Sequence, residues 1–418
     1  MEAYAAVLLW AIPGFFVLVV FEIAYGHFTK KQTYTLMDTL ASLSSGMTNV
    51  IKDVLGLALV LISYPFVLKH LHLLELEASV VTYTVAFICI DFASYWIHRL
   101  NHKVNIFWNQ HIIHHSSEEF NLACALRQSI SNLVGFGALF LIPAALLGVP
   151  TEVIMILSPL HLFAQFWYHT RHIGKLGILE YILVTPSQHR VHHAINPIYI
   201  DKNLAAIFCV WDRLFGTFQE ELDSEPPVYG TLKPVQSWNP VWINFQHFWI
   251  LLRDAWYTKK ALDKVRIWLM PTGWRPKDVA ERFPLKLRTA ATIQKYNPEY
   301  SSNWKKIALF HFISLVYLLL FLLAEFENLS TGFQISYGLL LMLSIFGFTA
   351  LMDFHSWAPL FEISRGLVGL MFLAYPQNQF VAESNPIAFG LMGVYSIVTV
   401  GIGFWAKNQS PKRSLVLN

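Results

Sequence analysis

Long apolar runs set the strongest limit on how this chain folds. Hydrophobic residues make up 55% of its 418 residues and charged residues only 14%, which departs from the proportions of soluble globular domains. A helix needs about 20 apolar residues to cross the hydrocarbon core of a bilayer. Runs of that kind begin near positions 4, 51, 79, 129, 152, 306, 333, 363 and 386. We therefore expect an all-α integral membrane protein with eight or nine transmembrane helices, the segment 363–376 either spanning or re-entrant.

The placement of basic residues orients these helices. Lysine and arginine gather at Lys30, Lys31, Lys52, Arg99, Lys103 and Arg127 and throughout the region 171–305. Connections such as "LHLLELEAS", "GVPTE" and "EFENLSTG" contain almost none. Because basic loops stay in the cytoplasm, the first set of segments is expected there, together with the C-terminal "KNQSPKRS". The multi-pass chain then begins outside, with a first spanning helix in place of a cleaved signal peptide.

Composition divides the chain into three expected parts. Residues 1–215 combine membrane helices with a histidine-rich region, and residues 304–418 return to plain apolar helices. Between them, residues 216–303 are rich in proline, tryptophan and charge. Tryptophan and tyrosine favour the headgroup level of a membrane, so this middle part is expected to form a cytoplasmic cap with short amphipathic helices.

Two functional classes are disfavoured at once. The formal net charge is only +3, and the chain has no basic arm with interleaved aromatic residues, so we expect no nucleic-acid partner. The three cysteines, Cys89, Cys124 and Cys209, are far apart and form no Cys-x-x-Cys pair. Neither a disulfide framework nor a thiolate metal site is expected from them.

Histidines are concentrated in one part of the chain. Of 17 histidines, 11 fall between positions 98 and 193. Eight stand in spaced motifs: His98-x3-His102, then His111-x2-His114-His115, then His189-x2-His192-His193. On a helix, residues three or four apart share a face. The spacing predicts that the first two histidines of each triplet act together, while the last reaches a neighbouring centre.

Such a repeat suits two metal ions better than one. Imidazole is a common ligand of iron, zinc and copper, and iron and zinc both fit a set without thiolates. Closed structural zinc sites take four ligands, often with cysteine. The larger number of histidines therefore favours a catalytic dinuclear centre with open positions.

Polar residues near the motifs are candidates for a catalytic or supporting role. Asp91 lies seven residues before His98 on the same helical face, and a carboxylate in a membrane helix is costly and usually functional. It can fix the tautomer of a ligating histidine, or it can simply pair helices. Glu118, Glu119 and Asn121 follow the first doublet and could act in the same way or remain solvated.

The isolated histidines have a plainer interpretation as interfacial side chains. This applies to His27, His70, His72, His247, His311 and His355. His161 and His172 lie among the motifs without a supporting spacing, whereas His169 in "QFWYHT" is the more favoured additional ligand.

The order of motifs resembles the fatty acid hydroxylase/sterol desaturase superfamily of membrane di-metal oxygenases. The stretches "HRLNHKVNIFWNQHIIHHSSEEFNLACALRQS", "QFWYHT" and "TPSQHRVHHAINPIYIDKNLAAIFCVWDRLFGTF" resemble its ether-lipid branch, the tetrahydrobiopterin-dependent alkylglycerol monooxygenases. The match covers roughly residues 80–225. Lys103 departs from that branch, in which an acidic residue follows the second histidine.

The resemblance implies a ligand set and a chemistry. The histidines that match those holding two iron ions in this superfamily are His98, His102, His111, His114, His115, His169, His189, His192 and His193. The implied reaction is O2-dependent hydroxylation of a lipid C–H bond, at the ether-linked carbon of an alkylglycerol in this branch, giving a fatty aldehyde and a glycerol derivative. Zinc remains possible in purified material.

The histidine motifs are compatible with other functions as well. A fatty acyl, sterol or carotenoid hydroxylase or desaturase would share the histidines and differ in its cavity. A metal transporter is a more distant alternative, because transporters place their ligands near the bilayer midplane. The chain has no Gly-rich dinucleotide fingerprint or haem motif, so electrons are expected from tetrahydrobiopterin, another external reductant or a redox partner protein.

Overall fold

The computed structural model of the chain describes residues 2–409 and is helical nearly throughout. The longer helices are α1 (Glu2–Phe28), α2 (Leu36–Val54), α4 (Val80–Lys103), α8 (Thr151–Phe163), α11 (Pro240–Tyr257), α14 (Ser302–Ala324), α15 (Thr331–Met352), α16 (Ala358–Ala374) and α18 (Pro386–Lys407). The shorter helices are α3 (Tyr64–Leu71), α5 (Asn105–Trp108), α6 (Ile112–His115), α7 (Ile142–Leu146), α9 (Pro186–His192), α10 (Val210–Leu214), α12 (Ala261–Arg266), α13 (Lys277–Arg282) and α17 (Phe380–Ser384). Two short parallel strands, β1 (Leu59–Val60) and β2 (Val134–Gly135), pair with each other. The expected all-α architecture is confirmed.

Fewer helices span a membrane than the apolar runs predict. Within residues 2–409, five helices are long and apolar enough to cross: α1 from Tyr4, α4, α14, α15 and α18. A sixth crossing is possible if α16 and the following segment Pro376–Ser384, which meet at a bend of 76°, count together. The expected eight or nine spans are therefore not confirmed, and the final residues of "KNQSPKRS", from 410 onward, lie outside the described part.

Three of the predicted spans fold into shorter pieces. The run near 51 begins inside α2, which ends at Val54, and Gly56, with a positive φ of 63°, separates this helix from β1 and α3. The run near 129 becomes β2, a 3-10 turn at Gly137–Leu141 and α7. The run near 152 forms only α8, whose 13 residues measure about 20 Å at 1.5 Å per residue. Glycine and proline divide these runs, and mean hydropathy does not register such breaks.

The two largest hydrophobic clusters of the described residues connect helices that are distant in the sequence. The larger joins α1 and α2 to the C-terminal helices, with Met37, Leu315, Ile345 and Met392 among its members. The smaller packs α3, α7 and α8 around the first half of α4. The C-terminal helices thus share one core with the N-terminal helices.

The middle segment 216–303, called the cap below after the expectation, contacts two of the long helices near their C-terminal ends. Helix α11 begins beside the C-terminal end of α15, where Asn239 donates to the carbonyl of Phe346. Further along, His247 hydrogen-bonds the carbonyl of Asn105, two residues beyond the end of α4. Helix α11 therefore reaches from α15 to α4, and it also contacts α6, which follows His111.

Candidate metal centre

The last turns of α4 present the first pair of histidines. Ser79 caps the start of this helix by accepting a hydrogen bond from the backbone N–H of Thr82. The helix ends at Lys103, where the extended backbone of Val104 stops it. His98 and His102 are one turn apart, so both rings project from the same face.

Two short helices present the other motifs. His111 precedes α6, which contains His114 and His115. His189 and His192 lie in α9, and His193 directly follows it. Pro186 in the first turn of α9 favours helix initiation there because its φ is already helical.

The structure gathers all nine predicted histidines into two adjacent groups. In each group, one candidate ligand atom per residue lies within 4.8 Å of every other. Group one consists of His98, His102, His111, His115 and His192, and group two of His114, His169, His189 and His193. Each of the two triplets contributes to both groups, whereas His98 and His102 belong to group one alone.

The division within each triplet differs from the expected one. The outer histidines of a triplet act together, His111 with His115 and His189 with His193, and the middle one joins the other group. At about 100° per residue, positions four apart differ by only about 40° around the helix, whereas positions three apart differ by about 60°. The expectation that the first two histidines pair was wrong.

Backbone carbonyls orient three of these rings from outside. The acceptors are the carbonyl oxygens of Leu204 for His98 (2.7 Å), Gln165 for His169 (3.1 Å) and Lys202 for His192 (3.0 Å), each facing Nδ1. A carbonyl oxygen can only accept, so Nδ1 carries the proton. In a neutral ring, Nε2 is then left with a lone pair facing inward.

The inward nitrogens converge. Nε2–Nε2 distances are 2.8 Å for His98–His111, 2.8 Å for His169–His189, 3.0 Å for His114–His193 and 3.1 Å for His189–His193. Among the described residues, Nε2 of His102, His115 and His192 is buried with no hydrogen-bond partner. A buried nitrogen without a partner is costly, and a cation bound between the rings removes that cost. The residues therefore fit two metal ions.

The electrostatic environment keeps the imidazoles neutral. Burial, reinforced by the neighbouring imidazoles, lowers the pKa of His111, His114, His115, His189, His192 and His193 well below the ordinary value. Burial also lowers the pKa of His169, to about 3. Since only a neutral imidazole can bind a metal, these rings are in the ligand form at physiological pH.

A carboxylate that the sequence did not single out contacts group one. Asp201 Oδ1 lies 3.3 Å from Nδ1 of His102, and its Oδ2 accepts from Nζ of Lys103 at 2.6 Å. Burial tends to raise the pKa of this carboxyl, but the hydrogen bonds from His102 and Lys103 prevail and the pKa is lowered. Its position in a loop 99 residues from His102 gave no spacing signal.

Asp91 is not brought together with the nine histidines. It is fully buried and accepts from Nε2 of His161 at 2.8 Å. The indole of Trp211 donates to it at 2.8 Å, and the backbone N–H groups of Ile207 and Phe208 donate at 2.9 and 3.1 Å. This carboxylate therefore holds α4, α8 and the segment before α10 together, as in the helix-pairing alternative.

Glu118 and Asn121 face the cap and the N-terminal segment. Glu118 forms an ion pair with Arg288 at 2.5 Å, and the neighbouring Glu119 pairs with Lys295 at 2.6 Å. The amide of Asn121 donates to the carbonyl of Thr33 at 2.8 Å. These contacts place all three side chains in the support of the loop that follows His114 and His115.

Two further buried charges, which spacing did not reveal, brace group two. Arg190 forms a two-pronged ion pair with Glu221 at 2.9 and 2.7 Å. The same guanidinium donates to the carbonyls of Thr170 and Ile173, which ties α9 to the segment that carries His169. Glu22 of α1 accepts from the hydroxyl of Thr170 at 2.5 Å.

Aromatic rings cover the histidines on two sides. Phe120 lies parallel to His169 with ring centroids 5.8 Å apart and is itself stacked on Tyr229 of the cap at 5.1 Å. Trp108 lies 5.4 Å from His115 and 5.2 Å from His102. These side chains exclude water from the two groups.

The chain is similar to alkylglycerol monooxygenases over nearly its whole length. Residues 83–217 match the Fatty acid hydroxylase family. Alkylglycerol monooxygenase of Homo sapiens is 32% identical over 403 residues, covering 94% of this chain and 87% of that protein. The enzyme of the same name from Xenopus tropicalis is 34% identical, covering 96% and 89%.

A more distant relative shares only the central part. Ornithine lipid hydroxylase OlsE of Rhizobium tropici is 30% identical over 128 residues, or 31% of this chain and 39% of that protein. No solved structure gives a significant match. The matched family region contains all nine histidines of the two groups. On these similarities, the chain is a member of the fatty acid hydroxylase family of lipid-hydroxylating monooxygenases and a relative of the alkylglycerol monooxygenases.

Proposed function

We propose that the chain is a membrane di-iron monooxygenase that hydroxylates the ether-linked carbon of alkylglycerols. The observation that carries this proposal is the similarity to alkylglycerol monooxygenases over more than nine-tenths of the chain. The two histidine groups support it, because nine neutral imidazoles without thiolates suit a pair of iron ions.

The nine histidines would hold the irons, five in group one and four in group two. When bound, the irons supply the activation of dioxygen that an unactivated C–H bond requires. The chain's own residues orient the imidazole rings: the carbonyls of Gln165, Lys202 and Leu204 keep protons on the outer ring nitrogens. Phe120 and Trp108 keep the surroundings dry, which strengthens electrostatic interactions inside.

The reaction needs an external source of electrons. One oxygen atom of O2 enters the C–H bond beside the ether oxygen, and the other is reduced to water by two electrons and two protons. The hemiacetal that forms then breaks its C–O bond to the glycerol oxygen, giving a fatty aldehyde and a glycerol derivative. We propose tetrahydrobiopterin as the electron donor, with another reductant or a redox partner protein as the alternative.

We propose that the site faces the cytoplasm. Lys30, Lys31 and Lys103 flank the ends of α1 and α4 on the histidine side, and Lys305 and Lys306 lie at the start of α14. The turns 325–330 and 375–385 at the other end contain no lysine or arginine. This distribution supports a cytoplasmic site by the positive-inside rule.

Exposed tryptophans in the middle part of the chain support the proposal of a cap at the headgroup level of the membrane. Trp242, Trp249, Leu252 and Trp256 of α11 are all exposed and lie on one side of a helix that reaches from α15 to α4. A substrate could then keep its tail in lipid and bring its polar head under the cap. We accordingly keep the three-part division 1–215, 216–303 and 304–418 as a functional proposal.

A second candidate is hydroxylation of a different membrane lipid. The similarity of the central region to an ornithine lipid hydroxylase favours it, since the same histidines can serve different cavities. Substrates of this second class would be hydroxylated without release of an aldehyde.

Product analysis separates the two candidates. The purified, iron-loaded full chain should release a fatty aldehyde from an alkylglycerol only when O2 and a tetrahydropterin are both present. A monoacylglycerol of equal chain length is the matched control substrate, because its ester has no ether-linked methylene. If other lipids are hydroxylated and alkylglycerol gives no aldehyde, the ether-lipid proposal is wrong.

A further inference from the structure

The loop of residues 201–204, which follows the third histidine motif, reaches three of the five histidines of group one. The carbonyl of Lys202 accepts from His192, and the carbonyl of Leu204 accepts from His98. Asp201 provides the third contact, to Nδ1 of His102. Of these three contacts, only the one from Asp201 is made by a side chain, and it is charged.

The loop is held rigidly enough to orient its partners. Asp212 accepts from the backbone N–H groups of Leu204 and Ala205 at 2.7 and 2.9 Å. Asn203 donates to the carbonyls of Gln188 and Gln219 at 3.0 and 2.7 Å. Its backbone, like that of Asp201, has a positive φ, 51° and 56° respectively. Residues other than glycine rarely adopt a positive φ unless their surroundings impose it.

Lys103 fixes the orientation of the Asp201 carboxylate. Its ammonium contacts Oδ2 at 2.6 Å, which leaves Oδ1 directed at His102. The Asp201 side chain is about one-quarter exposed, at 27%, whereas His102 is buried. A charged hydrogen bond thus reaches an enclosed imidazole from the rim of the site.

Among residues 2–409, no carboxylate makes a comparable contact with a histidine of group two. Nδ1 of His169 faces a neutral carbonyl, and Nδ1 of His189 is buried without a hydrogen-bond partner among the described residues. A carboxylate behind a ligating histidine fixes its tautomer and raises its basicity, and removing such a partner typically costs about 10- to 100-fold in metal affinity.

We infer that Asp201, oriented by Lys103, is a positioning residue that makes group one the tighter of the two metal sites. This inference rests on the proposed two-metal centre but not on the identity of the lipid. It assigns to the Lys103–Asp201 pair a role in metal retention that is specific to one of the two ions.

The test measures metal retention directly, without any turnover. The full chain in detergent is loaded with Fe²⁺ under anaerobic conditions, dialysed against increasing concentrations of a chelator, and its iron content is measured. The wild type should lose two ions in two steps. In Asp201→Asn, the more resistant ion should be lost at a chelator concentration about 10- to 100-fold lower, with the other step unchanged.

Matched variants separate positioning from general damage. Asp201→Glu should lose the more resistant ion at a chelator concentration close to that of the wild type, because the glutamate again supplies a carboxylate. Lys103→Met should lower the chelator concentration that removes the more resistant ion by up to about 10-fold. The control pair is Lys175 and Glu220, which has the same 2.6 Å contact and a similarly exposed lysine but touches none of the nine histidines; Lys175→Met and Glu220→Gln should match the wild type.

Three results would overturn the inference. One is a retention curve for Asp201→Asn that coincides with the wild type. Another is an equal shift of both steps accompanied by a lower Tm, which would indicate a structural role. The third is a wild type that binds fewer than two ions. A chain that retains both ions in the expected order but yields no aldehyde from alkylglycerol contradicts only the proposed function.

Discussion

Two buried polar clusters in this chain solve the same problem in opposite ways. The first is the pair of histidine groups at the ends of the spanning helices. The second, here called the Glu362 cluster, lies within the C-terminal helices and consists of His311, Ser344, Glu362, Arg365, Tyr395 and Thr399, all at most 5% exposed. Both place polar groups where water is scarce, which is costly unless every group finds a partner.

The Glu362 cluster satisfies itself. Arg365 donates to both carboxylate oxygens of Glu362 at 2.9 and 2.6 Å. It also donates to the hydroxyls of Ser344 and Thr399 at 2.9 and 3.0 Å, which ties α16 to α15 and α18. Among the buried polar side-chain atoms of this cluster, only Nε2 of His311 lacks a hydrogen-bond partner in the described part of the chain.

The histidine groups do not satisfy themselves, because Nε2 of His102, His115 and His192 is buried without a hydrogen-bond partner among the described residues. Their inner nitrogens meet at 2.8 to 3.1 Å while the protons sit on the outer nitrogens of at least three rings. A self-complementary cluster is a structural element, whereas buried ring nitrogens without partners suit a cation. The mismatch in hydrogen bonding therefore distinguishes a metal site from a buried polar core.

The largest expected effect comes from removing one imidazole from each cluster. His193→Ala should lower the iron content from two ions to about one per chain and reduce activity by more than about 100-fold, since even the loss of an outer partner of a ligand costs 10- to 100-fold. His311→Phe should leave both the iron content and the activity of the folded protein unchanged. Elemental analysis and the aldehyde assay measure these outcomes. Iron loss in His311→Phe would contradict the distinction.

A second change breaks the Glu362 cluster. Arg365→Met leaves a buried carboxylate without its partner and should cost about 3–5 kcal/mol of stability. Iron content per folded chain should remain two. Denaturation in detergent micelles and elemental analysis report the two quantities separately.

The double variant sharpens this result. Glu362→Met combined with Arg365→Met removes both charges and should recover most of the lost stability, because an apolar pair can replace a buried ion pair at little cost. A double variant as unstable as the single one would mean that the ion pair contributes net stability. Loss of iron in either variant would show that the two clusters are coupled.

The sequence revealed the histidine groups because their signal is local. Spacings of three and four residues place rings on one helical face, and the resemblance added His169, so all nine residues that the structure gathers were identified in advance. How the triplets divide between the groups was predicted wrongly, because positions four apart are closer in angle around a helix than positions three apart.

The supporting residues could not be found in the same way. Asp201 and Leu204 meet His102 and His98 only because the chain returns after about 100 residues, and no pattern along the sequence marks that contact. Asp91 had a clear local signal, a carboxylate in an apolar helix, but its partner His161 comes from another helix. The expected number of spans was not confirmed for a related reason: breaks at residues such as Gly56 divide an apolar run without changing its mean hydropathy.

The smallest expected effect concerns Asp353, which lies between the C-terminal helices and the cap. This residue follows α15 and accepts from Ser237 at 2.5 Å, from the backbone N–H of Trp238 at 2.8 Å and from the hydroxyl of Tyr296 at 3.0 Å. Burial raises the pKa of its carboxyl to about 6, although these hydrogen bonds favour the charged form. Asp353 therefore links the C-terminal helices to the cap through a group that is partly protonated near pH 6.

The raised pKa fixes the sign of the pH dependence. Between about pH 4 and pH 6 the folded chain holds a proton on Asp353 that the unfolded chain has released, so the contribution of this group to stability falls as the pH rises. Two pKa units correspond to about 2–3 kcal/mol. Asp353→Asn has no such proton, so the difference in stability between wild type and variant should shrink by that amount between pH 4 and pH 6. Parallel stability curves would mean that the carboxylate is solvated and that the cap does not enclose it.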